Sequence, residues 1–298
     1  MIGSPGRVVL NSSETSSWYD IFGGLRRTAY DDEFDKFARD VARVSNRLPA
    51  RLVAALSGFR RNLGHAGALI LGGIPIIDDL RPTPTVNSVW TSRDAIGTEP
   101  PLVACALLIG APVGFADWHG GRRVQNLFPV PSLRNTQCAS NAVRLEFHTE
   151  TAFRPTTPDA LMLLCLRPDP EGRARTTVAD LRTAISSLPV AVQEELGRPH
   201  FAFRISEEEL TKPKPIVCAG LDRERFNYAE ALVGTTAAAK RALTMLGEAI
   251  EDHSESFRLS SGDLLVIDNR HMVHARSRLN ARYDGGDRWL QRVLLRYP

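Results

Sequence analysis

Cysteine is scarce in this chain of 298 residues: Cys105, Cys138, Cys165 and Cys218 lie far apart and form no CxxC pair. That spacing gives neither a zinc ribbon nor a disulfide framework, and the apolar runs around Cys105 and Cys165 suit small buried thiols. No apolar run approaches the ~20 residues of a membrane span. The opening stretch, MIGSPGRVVLNSSETSS, lacks the charged and apolar regions of a secretory signal. A soluble, cytoplasmic protein is therefore expected, with no membrane partner. Charge of one sign is not in excess either. Against 34 Asp and Glu stand 37 Lys and Arg, a net charge of +3, and the basic residues are scattered rather than blocked. This balance points away from nucleic acid. With no internal repeat, low-complexity tract or linker, one domain over 1–298 is expected, residues 1–30 forming a loose N-terminal arm.

What is present is an ordinary globular composition, 43% hydrophobic and 24% charged. Phe34, Phe37, Ala38, Val41 and Val44 repeat with helical period, and Leu52, Leu56 and Phe59 carry a second stripe. ALILGG reads as a buried strand and turn, and EPPLVACALLIG as a short helix with Pro near its start and Gly past its end. Short β-rich runs follow, from RRVQNLF to RWLQRVLLRYP, interrupted by helices in VADLRTAISSLP and AAAKRALTMLGEAIEDH. This texture predicts a β sandwich or barrel wrapped by helices.

The run RLEFHTETAF presents a histidine and a glutamate two residues apart. On a strand, His148 and Glu150 share a face, with Thr149 turned away. As a bare motif this is more often a hydrogen-bonded pair; it is also two-thirds of a facial triad that holds non-heme Fe(II) with positions open. His274, on the strand after Asp268-Asn269-Arg270, is the natural third ligand; His271 is its only rival, and His65, His119, His200 and His253 have no recommending spacing. Arg288 lies fourteen residues beyond His274 (288 − 274) and shares a strand face with Arg292. Two inward guanidiniums require anions, and an iron beside them suits a dicarboxylate cosubstrate. Glu146 shares the face of His148 and is read as a cross-strand pair or a supporting carboxylate. Trp289 is read as packing, Asp287 as a surface partner of a nearby arginine, and HGGRR as a turn.

The pieces FHTETAFRPTTPDALMLLCLR, RTTVADLRTAISSLP, GDLLVIDNRHMVHAR and YDGGDRWLQR, in this order from about Ala66 to the C-terminus, resemble the clavaminate synthase-like group of Fe(II)/2-oxoglutarate-dependent oxygenases. Within it they are most similar to hydroxylases of free asparagine or arginine, which share HxE, a wide gap before the distal histidine (124 residues here, 274 − 150) and the RWxxR ending. The resemblance implies an α+β, mainly β fold: a double-stranded β-helix (jelly roll) flanked by N-terminal and inserted helices. It implies His148, Glu150 and His274 as iron ligands, with 2-oxoglutarate as cosubstrate and O2 as oxidant. Arg288 and Thr176 would hold the cosubstrate's distal carboxylate, Thr177 being the neighbour most easily confused with Thr176. Arg292 would bind the substrate α-carboxylate, Gln125 its amino group, and Ser140 and Asn227 would contribute to the pocket wall.

The sequence departs from the group's pattern where Ala275 replaces the glycine after the distal histidine, a change that could crowd a turn. Where arginine hydroxylases place aspartates, RERFNYAE offers Asn227 with Glu230 nearby, which points away from arginine. The retained Glu150 favours hydroxylation over halogenation. The implied activity is hydroxylation of a β or γ carbon of an amino acid in specialised metabolism, such as peptide antibiotic assembly. Competing readings are desaturation or cyclisation of an amino-acid derivative, and a non-catalytic, metal-stabilised β-sandwich that binds a small acid. The sequence sets no oligomeric state.

Overall fold

The apolar stripes fold as the sequence predicts in the computed structural model, which describes residues 5–30, 33–61, 67–86, 95–136, 138, 142–219, 224–229 and 231–298. His65, Ser140 and Glu230 lie outside these residues. The N-terminal part runs β1 (Gly6–Val9), α1 (Ser12–Thr15), α2 (Trp18–Phe22), α3 (Phe34–Val44), α4 (Ala50–Arg61), β2 (Ala68–Gly72) and α5 (Glu99–Leu107). There follow β3 (Ala111–Val113), β4 (Val124–Leu127), β5 (Leu145–His148), β6 (Ala160–Arg167), β7 (Thr176–Asp180), α6 (Leu181–Ser186) and α7 (Val190–Leu196). The last third holds β8 (Phe201–Phe203), β9 (Val217–Ala219), β10 (Glu224–Phe226), β11 (Leu232–Gly234), α8 (Ala237–Asp252), β12 (Ser254–Phe257), β13 (Leu264–Asp268), β14 (Met272–Arg276) and β15 (Trp289–Arg296). Side-chain caps start α6 and α8, where Asp180 accepts from the Arg182 N–H and Thr236 from the Ala239 N–H.

Two sheets dominate. The larger has the order β1-β2-β13-β6-β15-β3, with β4 also paired to β15. Its β1–β2 pair is parallel and its other pairs are antiparallel. The smaller, β12-β7-β14-β5, is wholly antiparallel. Strand alternation distributes the core. On β6, Met162, Leu164 and Leu166 face the N-terminal helices, where Phe37, Leu52, Leu56 and Leu102 are fully buried. Leu161, Leu163 and Cys165 face the other way, against Val178 and Met272 of the smaller sheet. The outer face of that sheet, Phe147 and Val273, is covered by Leu181, Leu246 and Ile250 of the later helices. Both faces of the central strands are therefore dry, which is why ALMLLCLR is continuously apolar. Each fully buried Leu contributes roughly 1.5–3 kcal/mol.

Three expectations are corrected. Residues 5–30 are not a loose arm: β1 pairs along β2, and Trp18, Ile21, Phe22 and Tyr30 are buried in the core. The segment is polar because its few apolar residues each fill a slot, while Asn11 and Glu14 form a capping box at the start of α1. Asp287 is buried, not at the surface, and accepts from the backbone N–H groups of Arg282 and Tyr283 at 2.9 and 2.6 Å. Ala275 lies within β14, buried against the outer core, so no turn is crowded there. Among the described residues no helix is long and apolar enough to cross a membrane.

Candidate active site

Strand β5 ends at His148, and the chain then turns. The Thr149 N–H donates to Tyr228 O at 2.8 Å, the Glu150 N–H donates to Asn269 Oδ1 at 2.6 Å, and Thr151 adopts φ 55°. The expected origin of the His148–Glu150 convergence, strand parity, is thus replaced by a turn. Asn269 pins that turn, donating from Nδ2 to Glu150 O at 3.3 Å and Pro158 O at 3.0 Å. His274 stands opposite His148 in the β5/β14 pair, with ring centroids 4.2 Å apart. One ligand atom each of His148, Glu150 and His274 lies within 4.8 Å of the others; among the described residues no other such group of three exists.

The imidazoles are in ligand form. His148 Nδ1 is 2.7 Å from the Glu146 carbonyl, which only accepts, so Nδ1 is the donor there and Nε2 is the nitrogen left to face the site. Glu146 acts here through its backbone, while its carboxylate pairs with Arg144 Nε at 2.9 Å. Burial, then His148 and Arg292, hold the His274 pKa well below its ordinary value and keep that ring neutral. Two imidazoles and one carboxylate are the donor set of a non-heme Fe(II) site. His271 is excluded as a ligand: it sits in the turn before β14, with Nδ1 2.8 Å from Asp268 Oδ2.

Alternation along β15 places the cations. Trp289, Gln291 and Val293 face outward, Trp289 donating to Asn126 Oδ1 at 3.0 Å and Gln291 to Glu99 Oε1 at 3.0 Å. Arg288, just before the strand, lines the inner cavity with Leu290 and Arg292. Arg288 Nη2 lies 3.4 Å from Thr176 Oγ1, and burial lowers its pKa. Thr177 points away and donates to Ser256 Oγ at 3.1 Å, so Thr176 is the threonine that stands beside Arg288. Arg292 donates through Nε and Nη2 to Gln125 Oε1 at 2.9 and 2.7 Å, and through Nη1 to Glu150 Oε2 at 3.0 Å. The Trp118 ring lies 4.5 Å from its guanidinium carbon.

These groups surround a cavity of about 410 Å³, a size suited to small ligands. Gln125 is close to the site but not on the cavity wall; its Oε1 accepts from Arg292 while its Nε2 donates to Arg122 O at 3.1 Å. Asn227 is buried with Nδ2 3.1 Å from Cys218 Sγ and does not line the cavity, whereas Ala229 and Ala231 do. Sequence reasoning missed Trp118, Arg154, Arg276 and His119. His119 Nε2 is 3.5 Å from Arg292 Nη2, and burial followed by Arg292 lowers its pKa to about 4. Its contact spans 173 residues and leaves no local signal.

Residues 103–294 match the family model described as taurine catabolism dioxygenase TauD, TfdA family. The chain is 36% identical over 259 residues to an L-asparagine oxygenase of Streptomyces coelicolor, covering 83% of this chain and 76% of that protein. It is 31% identical over 306 residues to an L-lysine 3-hydroxylase of Catenulispora acidiphila, covering 97% and 83%. The structure of an asparagine oxygenase in complex with Fe(II), 2S,3S-3-hydroxyasparagine and succinate superposes with a TM-score of 0.87 at 31% identity, covering 97% of this chain and 93% of that one.

Proposed function

Because the chain belongs to the TauD/TfdA family of dioxygenases, we propose that it hydroxylates a β or γ carbon of an amino acid, using Fe(II), 2-oxoglutarate and O2. The observation that carries this reading is the convergence of His148, Glu150 and His274 within 4.8 Å, on a cavity that also receives Arg288 and Arg292. We read the two sheets as the double-stranded β-helix of such enzymes, and the chain as one oxygenase domain. Bound iron, with the cosubstrate and O2, supplies the oxidising power needed at an unactivated C–H bond.

The chain's own residues supply position. His148, Glu150 and His274 hold the metal. Arg288 offers a guanidinium fork, and Thr176 a hydroxyl, to the distal carboxylate of the cosubstrate. Arg292 takes the substrate α-carboxylate. Its planar head is already fixed by Gln125, Glu150 and the Trp118 face, so little freedom is lost on binding. Leu127, Leu163 and Leu290 form the apolar wall and exclude water from the reacting centre. Glu150 links the two functions, since Oε2 accepts from Arg292 while lying 3.8 Å from His274 Nε2.

The test is direct. Purified protein with Fe(II), ascorbate and 2-oxoglutarate is offered the standard amino acids, and products are read by mass spectrometry. A gain of one oxygen matched by equimolar succinate is expected for at least one of them. Silence across the panel would favour a non-catalytic binder of small acids.

A further inference from the structure

The charged groups on the cavity wall are unequal in sign. Arg154, Arg276, Arg288 and Arg292 line it against only Glu146 and Glu150 among the described residues. Neither carboxylate is uncommitted: Glu150 accepts from Arg292 and faces His274, and Glu146 pairs with Arg144. Among the described residues of the 224–231 segment, Ala229 and Ala231 border the cavity. An ammonium or guanidinium side chain entering here would meet like charge with no described carboxylate to receive it, which disfavours binding.

The four arginines also differ in what remains to be bound. Arg288 and Arg292 face the carboxylates that any amino-acid hydroxylation of this type brings in. Arg276 donates to the carbonyls of Val143 and Ser277. Arg154 stands apart, four residues beyond Glu150 on the same turn. Its guanidinium lies over the Phe115 ring at 4.6 Å and bonds Asp117 at 2.9 and 3.0 Å. Its side chain is 19% exposed and that of Asp117 70%, so solvent screens the pair. Its Nε is buried with no hydrogen-bond partner among the described residues, a donor that a bound ligand could satisfy.

We infer that the substrate side chain ends in an oxygen acceptor, a carboxylate or a primary amide, and that Arg154 is the residue that reads it. This rests on the amino-acid hydroxylase reading above and narrows it. The experiment compares aspartate, glutamate, asparagine and glutamine with lysine, ornithine and arginine, by oxygen gain and by oxygen-free calorimetric binding to the iron- and 2-oxoglutarate-loaded protein. Acids or amides should lead the basic amino acids by at least about tenfold in kcat/KM, and the two acceptor arms separate carboxylate from amide recognition. Arg154→Gln should raise the KM for the accepted amino acid roughly 10- to 100-fold, the range for losing a charge-assisted hydrogen bond. The KM for the cosubstrate should stay within about threefold, and Arg154→Lys should restore part of the loss. Preference for lysine, ornithine or arginine, or an unchanged KM in Arg154→Gln, would overturn the inference while leaving hydroxylation intact. If the variant does not fold, tighter calorimetric binding of a basic amino acid by the wild-type protein overturns it equally. Binding or turnover of no amino acid at all would sink the parent reading, and this one with it.

Discussion

Arg292 is the residue on which most of the site's polar contacts converge, and its partners define what its loss should do. Arg292→Ala removes the proposed anchor of the amino acid but leaves Arg288 and Thr176 in place. The KM for the amino acid should rise about 100-fold, as for a buried charge-assisted contact, with that for the cosubstrate nearly unchanged. Equal losses for both ligands would show the two arginines to be assigned the wrong way round. His119, pressed against Arg292, has a pKa of about 4, against about 6.5 in an unfolded chain. The folded state thus resists a proton that the unfolded state accepts, so stability should fall as pH drops from about 6.5 toward 4. His119→Gln should flatten that part of a urea-denaturation pH profile. The proposed metal ligands and Arg288 can be picked out in the sequence because their spacing and order carry the resemblance. The roles of His119, Trp118 and Arg154 are not, because each depends on side-chain packing between segments that no periodicity connects.

Among the elements, β15 shows strand parity working and β5 shows it failing. Arg292 lies four positions beyond Arg288, and both face the cavity while Trp289 and Gln291 face the other way, as an alternating strand requires. The same rule applied to His148 and Glu150 reaches the right pairing for the wrong reason, since the strand stops at His148 and Asn269 shapes the turn beyond it. Nothing local marks Asn269 as the partner of a residue 119 positions away. Its part is measurable. Asn269→Ala should leave the β13–β14 turn folded, because Asp268 still holds Arg270 at 2.9 Å and His271 at 2.8 Å. It should weaken Fe(II) affinity roughly 10-fold or more, as loss of a ligand's supporting hydrogen bond does, in a metal titration followed by competition with a chelator.

For the whole molecule, the helices on both outer faces keep the two sheets dry and rigid, so the site is a property of the folded chain rather than of any one segment. Long, strongly periodic elements such as α3, α8 and β6 are legible in advance. The placement of residues 5–30 is not, because a polar segment anchored by Trp18, Ile21, Phe22 and Tyr30 has too few apolar positions to show a period. Ligands that bind only the folded state should stabilise it. At a metal concentration 100 times Kd the gain is about 2.7 kcal/mol, a rise of roughly 4 °C in Tm for a chain of this size. A redox-inert divalent ion with 2-oxoglutarate should produce that rise, and His274→Ala should abolish it; an equal rise in the variant would place the metal elsewhere.

Strand β15 also acts as a fixed caliper. Arg288, one residue before the strand, and Arg292 within it are the two jaws, their backbones about 13 Å apart at ~3.3 Å per residue. Deleting one residue inside that interval would rotate one jaw into the helical layer beside Gln291, whereas the loop at 277–287 can change length without touching the gap. Changes of length in the loops that feed the caliper therefore leave the distance it measures intact.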